Sequence, residues 1–207
     1  MKIKILLLLI IILAVILRIS WLDMLPLYTD ETNQGYNAYS IVKTGKDEHG
    51  VYLPVSLRSF GDWKPPLPTY LMIPFIEVFG LNEYSVRLPS VLLGLGTIII
   101  TYFLVRLIIT DKKISVKVAL ISSLLLTVSP WHLLQSRAAM LVIVSLFFVE
   151  TGVLFFLKSL KNPKLMIVSA ASFVLSIYCY YGMRVVSPLI ILLMVYYFRK
   201  KIRFFSR

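Results

Sequence analysis

The stretch ILLLLIIILAVIL, residues 5–17, is an unbroken apolar run, and the segment DMLPLYTDETNQGYNAYS that follows over residues 23–40 carries a carboxylate pair, Asp30-Glu31. A membrane helix needs about 20 mostly apolar residues, and Met1–Leu22 supplies them. Lys2 and Lys4 give this run a basic start like that of a secretory signal. Arg18-Ile19-Ser20-Trp21 follows in place of a small-residue cleavage site, so the segment reads as a retained anchor.

Composition extends this reading to the whole chain. Of 207 residues, 58% are hydrophobic and only 15% charged, with a mean hydropathy of +0.84; soluble domains run at about 45–50% apolar and about 25% charged. So much apolar surface excludes a soluble enzyme, and the aromatic content excludes low-complexity disorder. The single cysteine, Cys179, excludes an intrachain disulfide and supplies no metal-binding pattern.

Further apolar spans fall near 89–109, 115–129, 139–157, 164–182 and 185–198, which makes an all-α integral membrane protein of about six transmembrane helices. The expected organisation is one membrane domain over 1–207: a first span at 1–22, a long outer loop at 23–88, five further spans within 89–198 and a basic tail at 199–207. The 22 Lys and Arg residues set the orientation. Fourteen lie before span one, between spans two and three, between four and five, and after six. That face is expected to be cytoplasmic, with both termini on it, in the plasma or inner membrane. The net charge of +12 is thus mostly orientation, and no nucleic-acid partner is needed.

Eight of the ten acidic residues lie in 23–88. Long ordered loops carry function more often than short ones, so the chemistry is expected here. Residues 32–44 read as a short amphipathic helix, capped by Asp30 or Thr29 and ended by Gly45, with Tyr36, Tyr39 and Val42 as an aromatic stripe for the membrane interface. Gly45, Gly50, Pro54 and Gly61 mark turns. Leu67–Phe79 is apolar but too short and too interrupted by proline to cross, and reads as an in-plane juxtamembrane helix.

Three groups of residues are candidates for chemistry. Asp30-Glu31 sits just outside the bilayer, where partial desolvation helps a carboxylate accept a proton as a general base; the same pair also fits a helix N-cap with a first-turn acid. In Gly61-Asp62-Trp63-Lys64-Pro65-Pro66-Leu67 two prolines fix the backbone, so Lys64 is a preorganised ammonium suited to a phosphate, or a solvated lysine at a helix start. Arg58, Arg87, Arg137 and Arg184 fall on the outer face against the positive-inside trend, which fits an anionic ligand near the membrane or snorkelling to headgroups. Tyr178, Tyr180 and Tyr181 fit a substrate wall or an aromatic belt equally. Glu150, inside span four, reads as a structural partner of a neighbouring helix, and His132, beside Trp131, as a structural interface residue.

Taken in order, Asp30-Glu31, Gly35–Ser40, Lys64-Pro65-Pro66-Leu67, Phe79–Glu83, Val86–Ser90, Ser129–His132 and Ser136-Arg137 resemble the membrane glycosyltransferases of the GT-C superfamily, nearest the branch of protein O-mannosyltransferases and lipid A aminoarabinose transferases. The resemblance implies a polyprenyl-phosphate sugar donor, an extracytoplasmic acceptor (protein, lipid or glycan) and inverting transfer, with Asp30 as base and Glu31 beside it. The residues fit that reaction: Lys64, Arg58, Arg87, Arg137 or Arg184 would stabilise the leaving phosphate, Tyr181 is a substrate-binding candidate, and Glu31 or Asp62 would hold a divalent cation, Mg or Mn. Two departures stand out. Trp63 occupies the place where aminoarabinose transferases usually carry an acid, and Met140-Leu141-Val142-Ile143 is wholly apolar where many relatives have an acid and an asparagine. The chain resembles the N-terminal part of the superfamily fold, so a second chain completing it is an expected partner. Alternatives are an inactive or split N-terminal module that binds lipid phosphate as an assembly subunit and, last, a small transporter, since the polar residues gather in one loop and no repeat is evident.

Overall fold

The computed structural model describes residues 2–59 and 61–205, and the fold is helical throughout except for one short hairpin. Helix α1 runs Lys2–Ile19, α2 Thr29–Thr44, α3 Leu67–Phe79, α4 Glu83–Ile108, α5 Lys112–Val128, α6 Pro130–Arg137, α7 Leu141–Ser159, α8 Leu165–Ile177 and α9 Met183–Phe205; strands β1, Leu57–Ser59, and β2, Asp62–Lys64, pair antiparallel between α2 and α3.

Each expected span contains a helix: α1, α4, α5, α7, α8 and α9. By length and composition α4 and α7 are long and apolar enough to cross a membrane. The α5–α6 pair makes a third if its 58° bend lies within one span. The break falls at Ser129-Pro130, where proline cannot continue a helix but can begin one. Helix α8 has 13 residues, about 20 Å at 1.5 Å per residue, because the chain turns at 178–182 where the span was expected to continue.

The packing is inverted relative to a soluble protein. Ile5, Leu8, Leu9, Ile12 and Ile16 of α1 and Leu189, Leu192 and Leu193 of α9 are exposed. Thr97, Ser115, Ser123, Ser145, Ser172 and Ser176 are buried. Apolar outside and small or hydroxylated inside is the pattern of helices associating in lipid, where close backbone approach replaces hydrophobic burial as the driving force. At Gly94 a Cβ would lie 2.6 Å from Ser136 Cβ, so the α4–α6 contact needs glycine.

The 23–88 segment is ordered and packed. Ala38 of α2, Met72 and Ile76 of α3 and Val86 of α4 form one buried cluster, joined by Tyr39 and Val42. The aromatic stripe of α2 is therefore split: Tyr39 and Val42 face protein, and only Tyr36 is exposed, at 50%. Helix α2 also begins three residues earlier than its pattern predicts. Its cap is Tyr28, whose backbone amide donates to Glu31 Oε2 at 2.9 Å, so neither Thr29 nor Asp30 caps it. Gly45, at φ 73°, ends it as expected, donating its amide to the Ile41 carbonyl.

Candidate active site

The site is assembled by the hairpin and the diproline. Leu57 pairs with Lys64 and Arg58 with Trp63. Opposed residues share a face, so Lys64 points inward with Leu57 while Arg58 and Trp63 point to solvent. Pro65 and Pro66 then lead directly into α3. The amide of Leu67, the first residue of that helix, donates to the Tyr178 carbonyl at 3.2 Å, which ties the hairpin to the α8–α9 turn.

Lys64 is 8% exposed, and its ammonium pairs with the Asp30 carboxylate, so two groups expected to act together do meet. Their environments differ: the Lys64 side chain is 10% exposed and that of Asp30 63%. The lysine side chain is buried and meets a carboxylate that lies largely in the open.

Pro65 and Pro66, which follow Lys64 in the chain, line a cleft of about 400 Å³ with Ile177, Tyr178 and Arg184 among others. The Arg184 guanidinium stacks over the Tyr181 ring at 4.8 Å. Burial first, then the Asp62 carboxylate, raises the Tyr181 phenol above its ordinary value, and Arg184 opposes them. Asp62, Tyr181 and Arg184 therefore form one electrostatic neighbourhood next to the diproline.

Three other candidates are committed to the fold. Glu31 and Arg87 make a buried bidentate pair, with Nε to Oε1 at 2.8 Å and Nη2 to Oε2 at 2.7 Å. Arg87 gives its remaining donors to the carbonyls of Leu22 (2.6 Å), Leu25 (2.9 Å) and Pro26 (3.0 Å). All five guanidinium donors thus have acceptors within the chain, so Arg87 positions Asp30 and has no donor left for a phosphate. Arg137 donates to the carbonyls of Leu17 (2.9 Å) and Trp21 (3.0 Å). It closes the C-terminus of α1, where Trp21 adopts a left-handed backbone, φ 52°. Arg58 stays exposed on the outer face of the hairpin.

The expected metal ligands do not fit a cation. Glu31 is consumed by Arg87, and one Asp62 oxygen accepts the Trp63 amide. Among the described residues no group of three His, Cys, Asp or Glu side chains is placed to hold an ion.

Two polar networks went unread in the sequence. Asn33 and Asn37 donate to Glu48 Oε1 at 2.7 and 3.0 Å. With Thr29, Thr32 and Tyr36, Asn33 and Glu48 border a second cleft of about 370 Å³ along the first turns of α2. The available signal was the four-residue spacing of the asparagines on the face that carries Asp30. The second network lies between α1, α4 and α6. Arg18, fully buried, sits 2.8 Å from His132 Nδ1 and donates to the Ala14 and Thr127 carbonyls. His132 Nε2 lies 2.6 Å from Thr97 Oγ1, which donates to the Gly94 carbonyl at 2.7 Å. Since Thr97 uses its proton there and Arg18 can only donate, His132 is the neutral Nε2–H tautomer. Its structural role agrees with its reading in the sequence. Glu150 likewise meets a neighbouring helix, at Thr101 of α4.

Comparison with known proteins gives the family of the chain. The family described as dolichyl-phosphate-mannose-protein mannosyltransferase matches residues 63–205, an interval that includes Lys64, the diproline and Arg184. A Bacillus subtilis (strain 168) protein named "Putative mannosyltransferase YkcB" is 23% identical over 171 residues, covering 81% of this chain and 23% of that protein. An Aquifex aeolicus (strain VF5) protein named "Uncharacterized protein" is 30% identical over 127 residues, covering 61% of this chain and 28% of that protein. The chain thus spans about a quarter of the length of these curated relatives. No solved structure matches it. With most of its length matched, the chain belongs to the dolichyl-phosphate-mannose-protein mannosyltransferase family, within the GT-C superfamily of membrane glycosyltransferases.

Proposed function

We propose that this chain forms the catalytic centre of an integral membrane glycosyltransferase that moves a sugar, with inversion, from a polyprenyl-phosphate donor to a hydroxyl of an extracytoplasmic acceptor. The observation that carries this reading is the pairing of Asp30 with Lys64, the residue immediately before the diproline that lines a cleft with Arg184. In the proposed arrangement the six expected spans all cross, residues 23–88 face the exterior and both termini are cytoplasmic.

The donor phosphate engages Lys64, with Arg184 reaching it across the cleft. It thereby displaces Asp30 from the ammonium and leaves that carboxylate free. The acceptor approaches along α2 from the cleft bordered by Asn33 and Glu48. Its oxygen attacks the anomeric carbon on the face opposite the phosphate while Asp30 takes the hydroxyl proton. The bond from anomeric carbon to phosphate oxygen breaks, its electron pair stays on the phosphate, and Lys64 and Arg184 stabilise that charge. A lipid phosphate leaves as an anion at neutral pH, so one base and a cationic cradle suffice. The buried Glu31–Arg87 pair holds the first turn of α2, and Asp30 with it, against the start of α4.

The test is transfer of labelled mannose from a mannosyl polyprenyl phosphate in proteoliposomes. Asp30→Asn is expected to slow turnover about 10²–10⁴-fold, the usual contribution of a positioned base, with membrane insertion unchanged. Turnover at the unmutated rate would remove Asp30 from the mechanism. Donor retention without turnover in the unmutated chain would make it a lipid-phosphate-binding subunit instead.

A further inference from the structure

A second large cavity lies far from Asp30. About 940 Å³ opens where the C-terminal ends of α4, α7 and α9 converge, walled by Leu107, Leu157, Leu160 and Phe198. That is near the top of the roughly 300–1,000 Å³ of ligand pockets. Lys161, Lys200 and Lys201 also line it, and among the described residues no lining side chain is acidic. The 21 helical steps of α4 from Arg87 to Ile108 separate the two regions by about 30 Å at 1.5 Å per residue, one hydrocarbon thickness, so in the proposed arrangement they lie at opposite membrane faces.

We infer that this cavity binds the headgroup of an anionic phospholipid, with the phosphodiester held by Lys161, Lys200 and Lys201 and the upper acyl chains against the apolar wall. Orientation alone asks only that lysines lie on this face; it does not ask three of them, from two separate segments, to converge on one apolar cavity. Among the described residues, the ion pairs are His49–Glu48, Lys64–Asp30 and Arg87–Glu31, and none uses these lysines. Asp111, beside the lining residue Thr110, spends a carboxylate oxygen on the amides of Lys113 and Ile114. Lys201 lies over the Phe198 ring at 5.8 Å, which places a cation directly on the apolar wall. A free anion would satisfy the lysines and leave that wall wet; a lipid satisfies both. Basic pockets between helices at the cytoplasmic surface recognise lipid headgroups in this way. The inference does not depend on the proposed transfer reaction.

The experiment is native mass spectrometry of the full chain released from nanodiscs containing dioleoyl phosphatidylglycerol and dioleoyl phosphatidylcholine in equal amounts. Preferential retention of phosphatidylglycerol, at least tenfold, is expected. Lys161→Gln should reduce the preference about fivefold, the effect of one lysine at a lipid surface. Adding Lys200→Gln and Lys201→Gln should abolish it. Lys112→Gln with Lys113→Gln, on the same face but outside the cavity, should leave it intact. Equal retention of the two lipids, an equal loss in the Lys112/Lys113 control, or displacement of phosphatidylglycerol by millimolar inorganic phosphate would each overturn the assignment. Shielding of the buried Cys179 thiol verifies that each variant is folded.

Discussion

Replacing Arg87 with methionine leaves Glu31 without its partner in a site where Glu31 is 1% exposed and Arg87 3%. Breaking a buried pair by removing one member costs about 3–5 kcal/mol, because the survivor is an uncompensated buried charge. The carbonyls of Leu22, Leu25 and Pro26 lose their donors as well, which pushes the cost toward the upper end. Glu31→Gln is the gentler perturbation. It removes a charge but keeps an acceptor for Arg87, which also retains its three carbonyls, so the loss is that of a weakened hydrogen-bond set, about 1–3 kcal/mol. The structure therefore predicts an asymmetry, with Arg87→Met the more damaging of the two. For a chain of this size 1 kcal/mol moves the midpoint by about 2–4 °C, so Arg87→Met should lower it by roughly 6–20 °C. The single cysteine supplies the assay: Cys179 is fully buried, and a maleimide fluorophore reports its exposure as detergent-solubilised protein is heated. Midpoint shifts under about 1 °C for both variants, or a larger shift for Glu31→Gln, would refute the assignment of Arg87 as the residue that holds the α2 start.

Further outcomes follow from the packing and from the buried networks. Gly94→Ala places a methyl 2.6 Å from Ser136 Cβ, and the resulting overpacking of α4 against α6 should cost about 1–3 kcal/mol in the same thiol assay. His132→Phe removes the acceptor facing Arg18 Nη2 and the partner of Thr97; leaving a buried guanidinium donor unmatched should cost about 1–3 kcal/mol, and an unchanged midpoint would remove the network from the account. Arg137→Ala frees the carbonyls of Leu17 and Trp21. It should destabilise by about 1 kcal/mol, as loss of a cation from a helix C-terminus does, with donor binding unaffected.

What could be read beforehand depended on how local the determinants were. Leu67–Phe79 forms a helix with its expected bounds because Pro66 and Gly80 punctuate it within the sequence itself. The six apolar segments were legible as helices for the same reason, whereas the early end of α8 at Ile177 was not, since Tyr178–Gly182 carries no charge and no proline to mark a stop. The hairpin was seen only as turn signals, because three-residue strands are too short to carry an alternating pattern. At the site, Asp30 and Lys64 were legible as a candidate base and a candidate phosphate-binding cation, and the fold brings the two side chains together. Arg87 and Arg137 were recognisable only as unusual cations. What separates a ligand-binding arginine from one that holds the fold is whether backbone carbonyls fill its donors. Those of 22–26 and of 17 and 21 are brought to them only by tertiary packing. Arg18 looked like the edge of the anchor for a similar reason: the histidine it faces lies on α6, in a separate part of the chain.

The central claim is that donor phosphate and Asp30 compete for the same ammonium. Its most direct test is equilibrium binding of a short-chain polyprenyl phosphate to the reconstituted chain, compared among the unmutated protein, Lys64→Met and Asp30→Asn. Lys64→Met should weaken binding. Asp30→Asn should tighten it, by up to about fivefold, because an ion pair with one exposed member holds back no more than about 1 kcal/mol. Opposite signs for the two variants are the predicted result; weakening in both, or no change in either, would contradict the account.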